Sequence, residues 1–264
     1  MKLTIIEKEN RFWSDTKQKF TDDKDFSIFK TWDVVRSIPI YNPDEFYDNY
    51  RPEVEAIINE TNSIDRWSNV LREPFFGHTE ESWKQVDKTC FDGTVSCTPW
   101  TLKTAHHILT YETKTGRSIN DYDQIVDFGA GIGEMGRVIY DLGFKKDYYI
   151  YDLPEVAKIS SGYLNTLGHS PKIVKNFNEI PNNKKTLFIA TWSLSEVPFS
   201  YRNEIANYFR KQDFLIIFQQ NVFEYNNTGY FIVDFPVNSE TYVQLHQIPW
   251  HNGGNGNFYL FSKA

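Results

Sequence analysis

The sequence predicts an α/β chain in which a doubly wound, mostly parallel sheet follows a helical N-terminal region. Three observations carry this. From Ile125 onward apolar strand-like runs alternate with helix-like segments, the order that builds a parallel sheet covered on both faces. The chain closes with two further strand-like runs, Thr241 to Ile248 and Asn257 to Phe261, around Asn252-Gly-Gly-Asn-Gly256, which predicts an antiparallel hairpin. Before residue 118 this rhythm is missing: Asp, Asn and aromatic residues alternate with short helical pieces, and five of the seven tryptophans (13, 32, 67, 83 and 100) lie there.

Along the chain, the clearest early helix runs from Pro99 to Thr115, with proline at its first position and Gly116 at its stop. The first sheet strand is 124–128, followed by a glycine turn and a helix from Glu134 to Leu142 that Gly143 closes as a left-handed cap. The second strand, 147–152, ends in Asp152, read as the N-cap of a helix with Pro154 in its first turn. Strands 172–175, 186–191 and 213–218 follow, with a helix from Phe199 to Arg210 between the last two; 241–248 and 257–262 complete the set. No repeat or linker separates the two regions, so residues 1–118 are expected to form a helical cap for substrate recognition and 119–264 the core.

Composition narrows the function. A formal charge of −7 argues against a nucleic-acid partner, which demands clustered Lys and Arg. Two cysteines, Cys90 and Cys97, are too few for a disulfide framework, and no histidine pattern around them resembles a zinc site. No apolar run approaches the roughly 20 residues of a membrane span, and the charged start Met1-Lys-Leu-Thr-Ile-Ile-Glu-Lys-Glu does not read as a signal peptide. The expectation is a cytoplasmic protein.

Chemistry concentrates in Asp127-Phe-Gly-Ala-Gly-Ile-Gly133. Glycines at 129, 131 and 133 let the backbone bend sharply and approach a ligand, while Asp127 is placed to accept hydrogen bonds from a ligand ammonium and would repel a pyrophosphate. Asp152, 19 residues past Gly133, stands where Rossmann-like folds place a carboxylate on ribose hydroxyls. Gly131-Ile-Gly-Glu-Met-Gly136 also fits the dinucleotide fingerprint, one glycine out of register, so a nicotinamide oxidoreductase is one alternative and a glycine turn without ligand another.

The pattern acidic-x-Gly-x-Gly-x-Gly resembles motif I of the S-adenosylmethionine-dependent methyltransferases. Val126 to Arg137, Tyr149-Ile-Tyr-Asp-Leu-Pro-Glu-Val156, Tyr163-Leu164 and Trp192-Ser-Leu-Ser-Glu-Val-Pro198 together look like the sugar O-methyltransferases of bacterial surface-polysaccharide gene clusters, over roughly residues 90 to 264. The resemblance implies a Rossmann-like class I methyltransferase fold with S-adenosyl-L-methionine as cofactor and a sugar or nucleotide-linked sugar as acceptor. Asp127, Gly129, Gly131 and Gly133 would surround the methionine part, Asp152 with Leu153 the ribose and adenine edge, Asn176 and Phe177 the adenine, and Trp192 with Ser193 the sulfonium.

Methyl transfer needs donor and acceptor positioned and a hydroxyl proton removed. Two candidate bases follow strand ends: Glu196, after the fourth strand, and His251, within Pro249-Trp-His-Asn252. Each has a plainer reading, Glu196 as a helix cap and His251 as a hydrogen bonder across the hairpin. His106 and His107 on the cap helix are alternatives. A divalent metal would need carboxylates after strands four and five, and one Glu from each loop (Glu196 and Glu224) is too few, so metal independence is expected. A ligand-binding module without catalysis, or another small-molecule acceptor, stays open.

Overall fold

A computed structural model describes residues 43–72, 88–91, 95–97, 99–222, 225–235, 242–248 and 256–263. They fall into two compact units. Of the described residues, one unit holds 43–120 together with Gly133–Lys145; the other holds Asp121–Ile132 and those from Lys146 onward.

The first unit is built from α1 (Pro43–Glu60), α2 (Ile64–Arg72), the hairpin of β1 (Lys88–Cys90) with β2 (Val95–Cys97), α3 (Pro99–Thr115) and α4 (Glu134–Asp141). Spacing explains its core: Tyr50, Val54 and Ile58 recur every four residues on α1, and Trp67, Val70 and Leu71 share one face of α2. α3 is buried on all sides from Thr101 to Tyr111, as befits the central helix of a small bundle. Polar side chains on it reach partners on other segments. Glu112 receives both terminal nitrogens of Arg66, at 2.6 and 2.9 Å, and also the Ile119 N–H. His106 bonds Glu53 at 2.7 Å. The helix after the glycine turn thus packs with the N-terminal helices, although chain order alone assigns it to the sheet. It ends as expected, Gly143 at φ +93 donating its N–H to Tyr140.

The second unit is a seven-stranded sheet with its helices: β3 (Gln124–Phe128), β4 (Asp147–Tyr151), α5 (Pro154–Thr166), β5 (Lys172–Ile173), β6 (Thr186–Thr191), α6 (Phe199–Phe209), β7 (Asp213–Gln219), a small hairpin of β8 (Asn221–Val222) and β9 (Tyr225–Asn226), then β10 (Tyr242–Ile248) and β11 (Asn257–Lys263). The sheet order is β10-β11-β7-β6-β3-β4-β5. Every neighbouring pair is parallel except β11, which runs antiparallel to both β7 and β10. This is a Rossmann-like, doubly wound sheet with a closing antiparallel hairpin, as the sequence predicts. The order reverses between β3 and β6, and ligands of such sheets bind beyond the strand ends at that point.

Strand composition tracks position. β3 is buried throughout, as is β6 but for its last residue, matching their uninterrupted apolar runs, whereas the edge strand β5 is two exposed residues long. It is shorter than the four residues predicted because Asn176 caps a 3-10 turn that pulls the chain away from β4. One sheet face carries an aromatic core in which Phe188 stacks on Phe209 at 4.3 Å and Phe218 on Phe231 at 4.5 Å.

Candidate cofactor site

At the end of β3 the chain turns through three left-handed glycines, and two of them need to be glycine for different reasons. Gly129 sits at φ +74, and a Cβ there would stand 2.2 Å from the Cβ of Ser193. Its N–H bonds Tyr151 O at 2.8 Å, carrying the β3–β4 pairing one residue past the strand, while Ser193 Oγ donates to Phe128 O. Gly131, at φ +57, is the opposite case: a Cβ would meet nothing within 4 Å. The turn therefore opens onto space at Gly131 and closes on protein at Gly129. Gly133, at φ +90, is the N-cap of α4.

Two carboxylates define the electrostatics. Asp152, just past β4, accepts the Gly131 N–H on Oδ2 at 3.0 Å and the Leu153 N–H on Oδ1 at 2.7 Å. Leu153 itself, and not Asp152 as the sequence suggested, is the N-cap of α5, because the Asp152 side chain is turned back to the glycine loop. Burial pushes the Asp152 carboxyl up to about 6, against the pull of those two amides. Asp127 is more extreme. It is 1% exposed, its Oδ2 accepts the Tyr148 hydroxyl at 2.6 Å, and its Oδ1 is buried with no hydrogen-bond partner. Burial pushes its carboxyl up to about 7; the Tyr148 hydrogen bond opposes the rise and the neighbouring charge of Asp152 adds to it.

The loop after β6 lies against the glycine turn, with Ser193 beside Gly129. Trp192 adopts φ 66, ψ −35, a conformation that costs a side-chain-bearing residue energy and persists only where its surroundings impose it. Here the imposing contacts are its N–H on Ile217 O at 2.8 Å and its indole Nε1 on Asn257 Oδ1 at 2.7 Å. Ser193–Glu196 then make one 3-10 turn. Glu196 is half-buried and does not cap α6, whose N-cap, Pro198, makes no side-chain cap. His251 lies outside the described residues.

Asn176 and Phe177 follow β5. Asn176 makes a capping box with Glu179, and Phe177 is buried in the aromatic core, stacked on Tyr151 at 4.3 Å. His106 and His107 are buried on α3 in the other unit.

The structure also shows residues that sequence reasoning passed over. Arg202 on α6 is fully buried; it donates to Val197 O, Ser195 O and Asn227 Oδ1 at 2.5–2.6 Å and lies 4.7–5.6 Å from the rings of Phe199, Tyr225, Tyr230 and Phe231. It ties the loop after β6 to the segment after β7. No local pattern marks it. Tyr148 was findable: in parallel register it pairs with Ile125, two residues before Asp127, and so shares Asp127's face of the sheet. Among the described residues no group of three or more His, Cys, Asp and Glu side chains is placed to hold a metal, and no helix is long and apolar enough to cross a membrane.

No family model matches the chain, and no curated protein matches it. Solved structures resemble it at low identity. A protein from Thermoplasma acidophilum is 15% identical, with 62% of this chain and 89% of that one covered and a TM-score of 0.43. An S-adenosylmethionine-dependent methyltransferase from Aquifex aeolicus is 17% identical over 53% of this chain and 80% of that one, at a TM-score of 0.39. An rRNA methylase from Streptococcus thermophilus is 12% identical over 59% and 93%, at 0.42.

Proposed function

We propose that this chain is an S-adenosyl-L-methionine-dependent O-methyltransferase acting on a hydroxyl of a sugar or nucleotide-linked sugar, in the cytoplasm. The observation that carries the cofactor reading is the pair of unlike carboxylates at the glycine turn: a buried Asp127 oxygen without a donor, and Asp152 holding the turn open at Gly131. A ligand that brings an ammonium and a ribose answers both. A dinucleotide does not, since its pyrophosphate would meet Asp127. The sugar acceptor rests on the motif resemblance, and residues 1–118 are its proposed recognition region.

In this reading Gly129, Gly131 and Gly133 give the methionine part room, Asp127 accepts from its ammonium, Asp152 and Leu153 line the ribose, and Trp192 with Ser193 borders the sulfonium. The bound cofactor supplies an electrophilic methyl group. The protein's own work is to orient the acceptor hydroxyl and to take its proton as the transition state forms, a task for His251 or Glu196. The strained Trp192 and the Arg202 tie hold the loop that bears Glu196 in one conformation.

Calorimetry with S-adenosylhomocysteine and with NAD tests the cofactor: binding of NAD alone overturns the reading. A mass-spectrometric screen of sugar nucleotides for the gain of one methyl group tests the acceptor. With an acceptor in hand, His251→Ala or Glu196→Gln is expected to lower turnover about 10²–10⁴-fold with little change in cofactor affinity, the usual cost of losing a general base. Near-normal turnover in both variants would assign the proton to another group.

A further inference from the structure

The buried, partnerless oxygen of Asp127 has a consequence for how a ligand enters. Buried polar atoms are almost always hydrogen-bonded, and an ionised carboxylate buried with a single neutral donor is costly. Among the described residues Asp127 has that single donor, the Tyr148 hydroxyl at 2.6 Å, and no cation acts on it. The groups that do act on it are few. Tyr148 comes from β4, Asp152 from the end of β4, and the strands on either side of Asp127 set Ile150 and Ile189 beside it. β3 and β6 carry no further titratable residue.

Two acids with no cation between them cannot both be ionised at little cost. Resting on the cofactor reading above, we propose that ligand binding at this site is proton-linked: the ligand-free pair of Asp127 and Asp152 keeps a proton, an incoming ammonium displaces it to solvent, and Tyr148 is the positioning residue that sets the pH at which the exchange occurs. The ammonium keeps its own protons and donates one hydrogen bond to Asp127 Oδ1, so one proton leaves per ligand bound. Tyr148 contributes in two ways. It occupies Oδ2, leaving Oδ1 as the atom that meets the ligand, and its hydrogen bond favours the ionised carboxylate.

The sign follows from the carboxyl's raised position near 7. Below it, the proton competes with the ammonium, and affinity should fall up to tenfold per pH unit; above about pH 8 affinity should level off. A nucleoside thioether lacking the amino-acid part, 5′-methylthioadenosine, brings no ammonium, so its affinity should stay flat above about pH 7 and fall only where Asp152, raised to about 6, takes up a proton.

The test is calorimetry with S-adenosylhomocysteine and 5′-methylthioadenosine from about pH 5.5 to 9, in buffers of different ionisation enthalpy, on the full chain. The expected result is a pH dependence with proton release that sets in near pH 7 for the first ligand and only near pH 6 for the second. In Tyr148→Phe the midpoint should move to higher pH, with several-fold weaker S-adenosylhomocysteine binding at pH 7 that recovers toward the unsubstituted protein by pH 9; Asp127→Asn should abolish the pH dependence near pH 7. A Tyr148 with only a packing role would leave the midpoint where it is. A pH-flat affinity for S-adenosylhomocysteine in the unsubstituted protein, or an unmoved midpoint in Tyr148→Phe, overturns the inference while leaving the cofactor reading standing. Binding of neither ligand overturns both.

Discussion

Asp127 and Glu134 are seven residues apart, both buried, and treated by the fold in opposite ways. Glu134, in the first turn of α4, is fully compensated: Arg137 reaches its two oxygens at 2.9 and 2.7 Å, Thr101 donates at 2.9 Å, and the guanidinium's remaining arm holds Asp141 at 2.7 Å. Asp127, at the end of β3, has one phenol and an oxygen that nothing answers. An acid buried for structure arrives with its cation; in the function proposed above, an acid buried without one is held for a ligand that brings it. The contrast makes each site's chemistry readable, because the same residue class at similar burial shows which charge the protein itself balances.

The largest effect expected from this contrast is on the structural side. Arg137→Met leaves buried Glu134 with the Thr101 hydroxyl and the nearby buried Lys103, and removing one partner of a buried pair costs about 3–5 kcal/mol. Urea unfolding measures it, and the double variant Arg137→Met with Glu134→Gln should recover a large part of the loss. A cost below about 1 kcal/mol would remove the distinction between the two acids.

Asp127→Asn is expected to go the other way. A carboxyl raised from 3.8 to about 7 favours the native state below the lower value and costs stability fully above the upper one. Removing that cost should stabilise the ligand-free protein above pH 7, by an amount of order 2–4 kcal/mol at most, and change little at pH 4. The same substitution should weaken S-adenosylhomocysteine by tenfold or more. Thermal melts with and without ligand at pH 4, 6 and 8 check both. A variant less stable than the parent at pH 8 would show that Asp127 is compensated by a group acting only in solution.

The framework of this site was legible in the sequence, because glycines, strand-end acids and apolar periodicity are local signals. Asp127, the glycine turn and Asp152 come together as their spacing requires, and the fold class follows from the run of strands and the final hairpin. What sequence could not give depends on contacts between distant segments. Asn176 and Phe177 follow a strand end as adenine-binding residues would; that one side chain also caps a turn and the other stacks on Tyr151 is decided by packing. Arg202 reads as one more surface arginine on an amphipathic helix until the loops after β6 and β7 close over it. The packing of α4 with the N-terminal helices likewise involves the Thr101–Glu134–Arg137 network, in which Thr101 lies more than 30 residues before its two partners.

Asp152 should give the smallest change in stability, and that makes it the finest test of the comparison. It stands between the other two acids: its oxygens take two backbone amides, neutral donors that offset part of the cost of burial, and its carboxyl rises only to about 6. In Asp152→Asn the side-chain oxygen keeps one amide and the new NH₂ faces the other, a loss of about 1–3 kcal/mol for the unmatched pair. Relief of the buried charge above pH 6 works against that loss. The net change at pH 7 should fall within about 1 kcal/mol of zero, with the variant relatively less stable at pH 4, where the parent's carboxyl is already neutral. Ligand affinity has no such cancellation, since a ribose hydroxyl loses a charged acceptor worth about 1.5–3 kcal/mol, and both S-adenosylhomocysteine and 5′-methylthioadenosine should bind about tenfold more weakly. Equal weakening of the two ligands at Asp152, set against weakening of only the amino-acid-bearing ligand at Asp127, would assign the two acids to opposite ends of one bound molecule.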